Sequence, residues 1–516
     1  LGGVINTRFW NFTGTARVTK DLVVFASDEV NIRGKLEVPR GIQVAFFTPS
    51  FNLGDKYGRN GEIVAVDNPD YKGPVSDIIC SRTTIFYVSS PGWTIGPGDG
   101  LEIASDSESS FLSLRSLTMQ PGATGGAKGQ SPNGQIGGSI DIGTPKAIAD
   151  AERLAKKHGR AIKAFPMGNV SVSYPIHAGD GGNGKDDPTG HLVGGVYNFA
   201  AYDGGNGGSI DIVAKEVEPL LGDSAATFTA GNGGNGGAIA AAVTGVTNNP
   251  MNGTATSPNA IPAAIFMGAG GSGGSISVRA KVSDKVAFGA GSGGNASLVN
   301  DNPADAGSYA FWAGNGFASP APGALTFGNG GDVDVHLALP GNFGSGSNAK
   351  AVKPSNGQYY PLTFFGGQAC NACGGAATYP GVAASQLLQG ANGGSLTLIL
   401  PTGATPAELV SIYGLKISLA GYGSGGGSVL TDTPYSYCPS PDPPGINGGN
   451  GGALHDNGLW PLMYPSASSN WGWGFYAGGG SAGNPGGNVG LNGYDDEGQE
   501  IGQVNPDQNV ICNGHT

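Results

Sequence analysis

Charge is what this chain has least of. Asp, Glu, Lys and Arg make up 12% of its residues, about half the roughly 25% of an ordinary globular domain. The balance is acidic, with 26 basic against 38 acidic residues and a net charge of −12. Nucleic acid, which is bound by clustered Lys and Arg, is therefore not an expected partner. No run of about 18 apolar residues occurs, so no membrane-spanning helix is expected. The catalytic patterns G-x-S-x-G, H-E-x-x-H and the Walker phosphate loop are also missing. "GDGGNG" and "GYGSGGG" have the glycines of a phosphate loop but precede short strands, not helix N-termini. The chain reads as no enzyme, with no cofactor beyond a candidate calcium ion. It starts at Leu1 without a basic leader segment, as a mature or trimmed form would.

Glycine is abundant, at 96 of 516 residues, where roughly 7% is usual. Apolar residues still reach 39%, too many for the usual disordered chain. The glycines are organised by a repeat. "GGSIDI" occurs at Gly137 and Gly207, "GGSISV" at Gly273, "GGDVDV" at Gly330 and "GGSLTL" at Gly393. Weaker copies are "GGAIAA" at Gly236, "GGSVL" at Gly426, "GGALH" at Gly451 and "GGNVGL" at Gly486. The intervals are irregular, as expected of a repeated unit with insertions in its loops. Within each copy, alternation such as Ile210-Asp211-Ile212 predicts a strand with one buried face. The preceding "AGNGGNGG" and "GAGGSGG" run in Gly-Gly-x triplets, the period of a three-residue helix. With two positions in three free of side chains, such helices can pack backbone to backbone, or else serve as flexible linkers.

This alternation, from about Gly122 to Gly490, resembles glycine-rich secreted bacterial surface proteins and adhesins built on a β-solenoid. It also resembles glycine-rich phage tip adhesins with stacked polyglycine II helices. The resemblance implies a rigid platform with recognition in the connecting loops. Residues 16–47 carry Val30-Ile32, Leu36-Val38 and Ile42-Val44-Phe46 between "RG" turns and resemble rungs of a right-handed parallel β-helix, an antiparallel sandwich being the alternative. The expected fold is all-β: a β-solenoid or parallel β-helix with packed polyglycine II segments and one short α-helix. That helix is predicted over "TPKAIADAERLAKKHG", with Thr144 as N-cap, Pro145 at the first helical position and Gly159 past its end. Its apolar stripe is Ile148, Ala151, Leu154 and Ala155. Three regions follow: a β-rich N-terminal part at 1–120, the glycine-rich repeat at 121–490 with the helix at 144–158 inserted, and a tail at 491–516.

Candidate sites are few. In "HAGDGGNGKDDPTGH" the acids Asp180, Asp186 and Asp187 lie close together, and part of the segment fits a calcium nonapeptide, although Pro188 stands where that pattern has a large aliphatic residue. Cys80, Cys370, Cys373, Cys438 and Cys512 are disulfide candidates; the Cys370–Cys373 spacing also fits a metal or redox pair, but no second pair completes a zinc site. Asp141, Asp211 and Asp334 recur at one position of successive strands, where a carbohydrate-active β-helix enzyme could carry carboxylates and an ordinary strand would carry solvent-facing residues. Trp460, Trp471, Trp473, Phe475 and Tyr476 form an aromatic cluster suited to a subunit contact or to glycan stacking.

The function expected from these features is that of a secreted structural protein at the cell surface, a subunit of a fibre, sheath or appendage. Its partner is then itself, joined head to tail. The alternative is an adhesin that binds a surface glycan or receptor through its loops. A β-helix carbohydrate-active enzyme ranks third.

Overall fold

The computed structural model describes residues 1–294 except 56–60, 67, 69, 71–72, 87–93, 96–99, 116, 127–130, 174, 188–190, 194–195, 221–225, 238, 241–262, 267–269 and 283–285. Beyond residue 294 it describes seven strands. The chain begins with β1 (Gly3–Phe12), β2 (Thr15–Arg17), β3 (Leu22–Ile32), β4 (Lys35–Pro39), β5 (Val44–Leu53), β6 (Glu62–Val66) and β7 (Ser76–Phe86). Then come β8 (Thr94–Ile95), β9 (Gly100–Ala104), β10 (Phe111–Leu114), β11 (Leu117–Met119), β12 (Ile140–Ile142) and the helix α1 (Pro145–Lys157). After the helix lie β13 (Met167–Val172), β14 (Ile176–His177), β15 (His191–Val193), β16 (Val196–Ala200), β17 (Ile210–Pro219) and β18 (Ala226–Thr229). They are followed by β19 (Ile239–Ala240), β20 (Ala263–Phe266), β21 (Ile276–Val282), β22 (Val286–Gly289) and β23 (Val299–Asn300). The last are β24 (Val333–Leu337), β25 (Thr363–Phe365), β26 (Leu396–Ile399), β27 (Ile417–Leu419), β28 (Leu454–Asp456) and β29 (Gly474–Tyr476).

The repeat sets the register of the main sheet. Ile140, Ile210, Ile276, Val333, Leu396 and Leu454, the first apolar residues of six copies, face one another across β12, β17, β21, β24, β26 and β28. Each partner is in parallel register, and Ile140, Ile210 and Ile276 are buried, so across these three copies the buried face of one continues the next. A second parallel sheet runs β8-β11-β14-β18-β22-β25-β27-β29, and a third joins β2, β4 and β6. Val24, Phe46, Phe51, Leu112, Ile140, Ile210, Phe228 and Phe288 belong to one continuous buried core. Among the described copies the weak one at Gly236 departs from this pattern: its strand β19 pairs with β23, away from the main sheet.

The expected β-solenoid is corrected here. In a solenoid each strand stacks only on the level before and the level after it. In the main sheet the N-terminal half of β7 pairs with β9 and its C-terminal half with β10. Likewise β17 pairs with β12 through Ile210–Ile212 and with β13 through the rest of its length. Since β9 also pairs with β12, and β10 with β13, the pairing closes into a six-strand parallel barrel, β7-β10-β13-β17-β12-β9. The physical cause is an insertion. The α1 segment separates β12 from β13, and the bend at Ser105 to Ser110 separates β9 from β10, so two short strands must share each long neighbour.

The helix itself forms for local reasons. Thr144 Oγ1 accepts the Ala147 N–H at 3.1 Å, Pro145 opens the helix, and Lys156 and Lys157 lie in its last turn. Gly159 follows at φ +74°, a conformation that a side chain would strain. Ala151, Leu154 and Ala155 are buried against Phe47, Ile78, Cys80 and Ala104 in a second core, with Ile148 at its edge.

Candidate functional site

After β11, β14, β18 and β22 of the second sheet the chain leaves along a glycine tract, and further glycine tracts lead into β12, β17 and β21 of the main sheet. Outgoing tracts cover 120–126, 178–185, 230–237 and 289–294; returning tracts cover 131–138, 203–209 and 270–275. Tracts of one kind run parallel to each other and antiparallel to the other kind, which makes two stacked rows.

The central outgoing tract shows the logic. Gly231 donates to the Gly208 carbonyl at 2.9 Å and Gly234 to that of Gly205 at 2.8 Å, both in the returning row. Gly233 donates to the Ser292 carbonyl at 2.7 Å in the next outgoing tract. Asn232 turns the other way, its N–H bonding Asp180 Oδ1 at 2.6 Å in the preceding outgoing tract. The three donors of one turn thus reach three different neighbours, and a segment without a regular ladder of its own satisfies its backbone. None of these glycines has a positive φ; what excludes a side chain is space. A Cβ at Gly205, Gly231, Gly233 or Gly234 would fall far inside 3.0 Å of a neighbouring carbonyl oxygen.

The third residue of each triplet has a job that sequence reasoning missed. Asn235 donates its N–H to Asn183 Oδ1 at 2.9 Å, Ser272 to Asn206 Oδ1 at 2.9 Å, and Ser292 to Asn232 Oδ1 at 2.9 Å. At the strand entrances Ser275 donates to Ser209 Oγ at 3.1 Å, and Ser209 to Ser139 Oγ at 3.0 Å. A short side chain with an acceptor oxygen is required, so Asn, Asp and Ser fill these positions. The signal was present in the recurrence of those residue types after Gly-Gly.

Asp180 is such a ladder residue. Its Oδ1 also lies 3.8 Å from His177 Nε2, whose Nδ1 contacts the Thr229 carbonyl at 3.0 Å. Asp186 is exposed and Asp187 buried at the outer end of the same tract. Among the described residues no three His, Cys, Asp or Glu side chains converge as a metal site. Cys80 is a buried free thiol, pushed up to about 12 by burial and then by Asp106 and Glu152. Cys370, Cys373, Cys438 and Cys512 lie outside the described residues, as do Trp460, Trp471 and Trp473. Phe475 and Tyr476 stand on β29, the last strand of the second sheet among the described residues, opposite Ser418 and Leu419.

The recurring acids form a row across the main sheet. Glu102, Asp141, Asp211, Ser277 and Asp334 follow one another in register on β9, β12, β17, β21 and β24. Lys146 from the first turn of α1 pairs with Glu102, with Asp141 at 3.3 Å and with Asp150 at 3.7 Å. The Glu102 side chain is only 1% exposed. Burial raises the pKa of Glu102 and of Asp141, with Lys146 opposing both. Lys146 is raised in turn, because the two carboxylates outweigh the effect of its own burial. The cluster ties the helix to the sheet.

Among the described residues Asp211 has no such partner close by. Burial, followed by the charge of Asp141, pushes it up to about 6 against the more distant Lys146 and Arg279. A raised carboxylate stabilises the fold in its protonated form. That contribution is complete below the usual value of 3.8 and is lost as pH rises through about 6. Asp211→Asn should therefore melt higher than the unmodified protein at pH 8, by about 1–3 kcal/mol, and show no gain at pH 4. Thermal melts at the two pH values measure it, and an equal shift at both would rule the account out.

Among the described residues no helix is long and apolar enough to cross a membrane. Comparison with protein-family models, curated proteins and solved structures finds no match.

Proposed function

We propose that this chain is an extracellular structural protein, a subunit of a cell-surface fibre, sheath or appendage that joins copies of itself head to tail. The observation that supports this reading is the strand order of the main sheet. Among the described residues it begins at β1 and ends at β28, with every pairing between them parallel. A pure translation could set the β28 edge of one copy on the β1 edge of the next, the heterologous contact from which open filaments grow. The β1 side is suited to such a contact: Val4 and Phe9 are 47% exposed, and Trp10 and Phe12 only partly cover the end of the core. The interlocked glycine rows add stiffness without requiring a large apolar interior.

Electron microscopy and sedimentation at micromolar concentration test the reading. Ordered polymers are expected, and Val4→Lys combined with Phe9→Lys should abolish them while leaving the circular dichroism unchanged. A unmodified protein that remains monomeric would defeat it. The alternative, an adhesin that meets a surface glycan or receptor through its loops, is favoured by one observation. Successive excursions from the glycine rows join in a small sheet of β15, β16 and β20, which gives the loops a common frame.

A further inference from the structure

The first strands of the main sheet are bent at one level. Thr7 Oγ1 donates to the Phe9 carbonyl at 2.9 Å, Thr48 Oγ1 to Ser50 at 3.0 Å, Ser81 Oγ to Thr83 at 2.8 Å and Ser105 Oγ to Ser107 at 2.7 Å. The register shifts at the same place, between Thr7 and Phe9 on β1 and between Phe25 and Glu29 on β3. Such bulges curve a sheet locally. Above the bend runs the segment that leaves α1, held at one end by the Arg160 N–H on the Ala155 carbonyl at 2.9 Å. Its other end is held by reciprocal backbone bonds of Ser105 and Phe165 at 3.1 and 2.8 Å. Between sheet and segment lies a cavity of about 390 Å³, within the size range of small-molecule sites.

Its lining is chemically divided. Phe25 and Phe47 stack at 4.8 Å between centroids, and with Pro49 and the Cys80 thiol they provide an apolar surface. Two charged side chains also line the cavity. Asp106 is engaged by Arg82, at 3.3 Å. Arg160 lies 5.5 Å over the Phe25 ring and donates to Asn6 Oδ1 at 2.8 Å, but among the described residues no carboxylate pairs with it. Its guanidinium is therefore oriented by neutral groups while its charge is left uncompensated, beside a surface that favours a flat apolar body.

We propose that this cavity binds a small carboxylic acid with an aromatic or similarly flat apolar body, its carboxylate on Arg160 and its ring against Phe25 and Phe47. Titration calorimetry with phenylacetate and its neutral isostere phenylacetamide tests the assignment. The acid should bind at least 10-fold more tightly than the amide. Arg160→Gln, an exposed position whose melting temperature should not change, should reduce the acid to the level of the amide. Equal binding of acid and amide by the unmodified protein, or no binding of the acid at millimolar concentration, would overturn the proposal. So would an acid preference that survives in Arg160→Gln.

Discussion

Gly234→Val is expected to destabilise this protein by about 4–5 kcal/mol or more, the range reserved for severe steric or cavity defects. An ordinary glycine replacement in a regular element changes stability by only about 0.5–1 kcal/mol. The difference arises because a Cβ at Gly234 would collide with the backbone of Gly182 and Gly181, atoms that cannot swing aside as a side chain can. Giving way would break the bonds from Gly234 to Gly205 and from Gly271 to Gly234, each 2.8 Å, and so separate three tracts. Gly237→Val should behave alike, since Lys185 backbone lies in its path. Gly289→Ala is the control: no atom lies within 4 Å of the Cβ it would add, and its melting should move little. If all three variants melt with the unmodified protein, the tracts are linkers and the packed rows do not exist in solution.

The second large effect is expected at Lys146. Lys146→Met leaves Glu102, 1% exposed, without its cation. Breaking a buried pair from one side costs about 3–5 kcal/mol, and because the Lys146 side chain is 56% exposed, water can recover part of that, so about 2–3 kcal/mol is expected at pH 8. The sign of the pH dependence follows from the raised Glu102 carboxyl. Without Lys146 it moves higher still, so the loss is full above the folded value and fades as pH falls toward the usual 4.5. Glu102→Gln combined with Lys146→Met should recover most of the stability, because it removes the stranded charge. Denaturant melts of the three proteins at pH 8 and pH 5 check this. A double variant no better than Lys146→Met would mean that the lysine acts by packing alone.

How much of this was legible depended on whether the cause was local. Thr144, Pro145 and Gly159 announce the helix because capping needs only neighbours in sequence, and the helix runs Pro145–Lys157 with Thr144 as its cap. The alternation in "GGSIDI" and its relatives announces the strands, and even their alignment, since Ile140 and Ile210 must share the buried face. The closed barrel was not legible. It depends on β7 and β17 being long enough to serve two partners each, and nothing within either segment says that its partners are divided by insertions elsewhere. Glu102 escaped notice for a similar reason, since it lies outside the glycine repeat and joins the acid row only through the pairing of β9 with β12. The cavity beside Arg160 was equally invisible, because it joins residues 6 and 160.

The glycine rows have one more consequence, for how such a protein can change over generations. Each tract is fixed chiefly by bonds to its neighbours in the rows, although Tyr202 at the end of one excursion also bonds Lys185 and Gly237. Positions 127–130 separate one outgoing tract from its return, whereas 238–269 separate another, yet both pairs of tracts flank strands of the same two sheets. Loop closure grows only slowly more costly with length, by about 0.6 kcal/mol per doubling. Lengthening, shortening or replacing an excursion should therefore leave the scaffold nearly indifferent. Variation can accumulate in the outer segments while the glycines beneath them stay fixed.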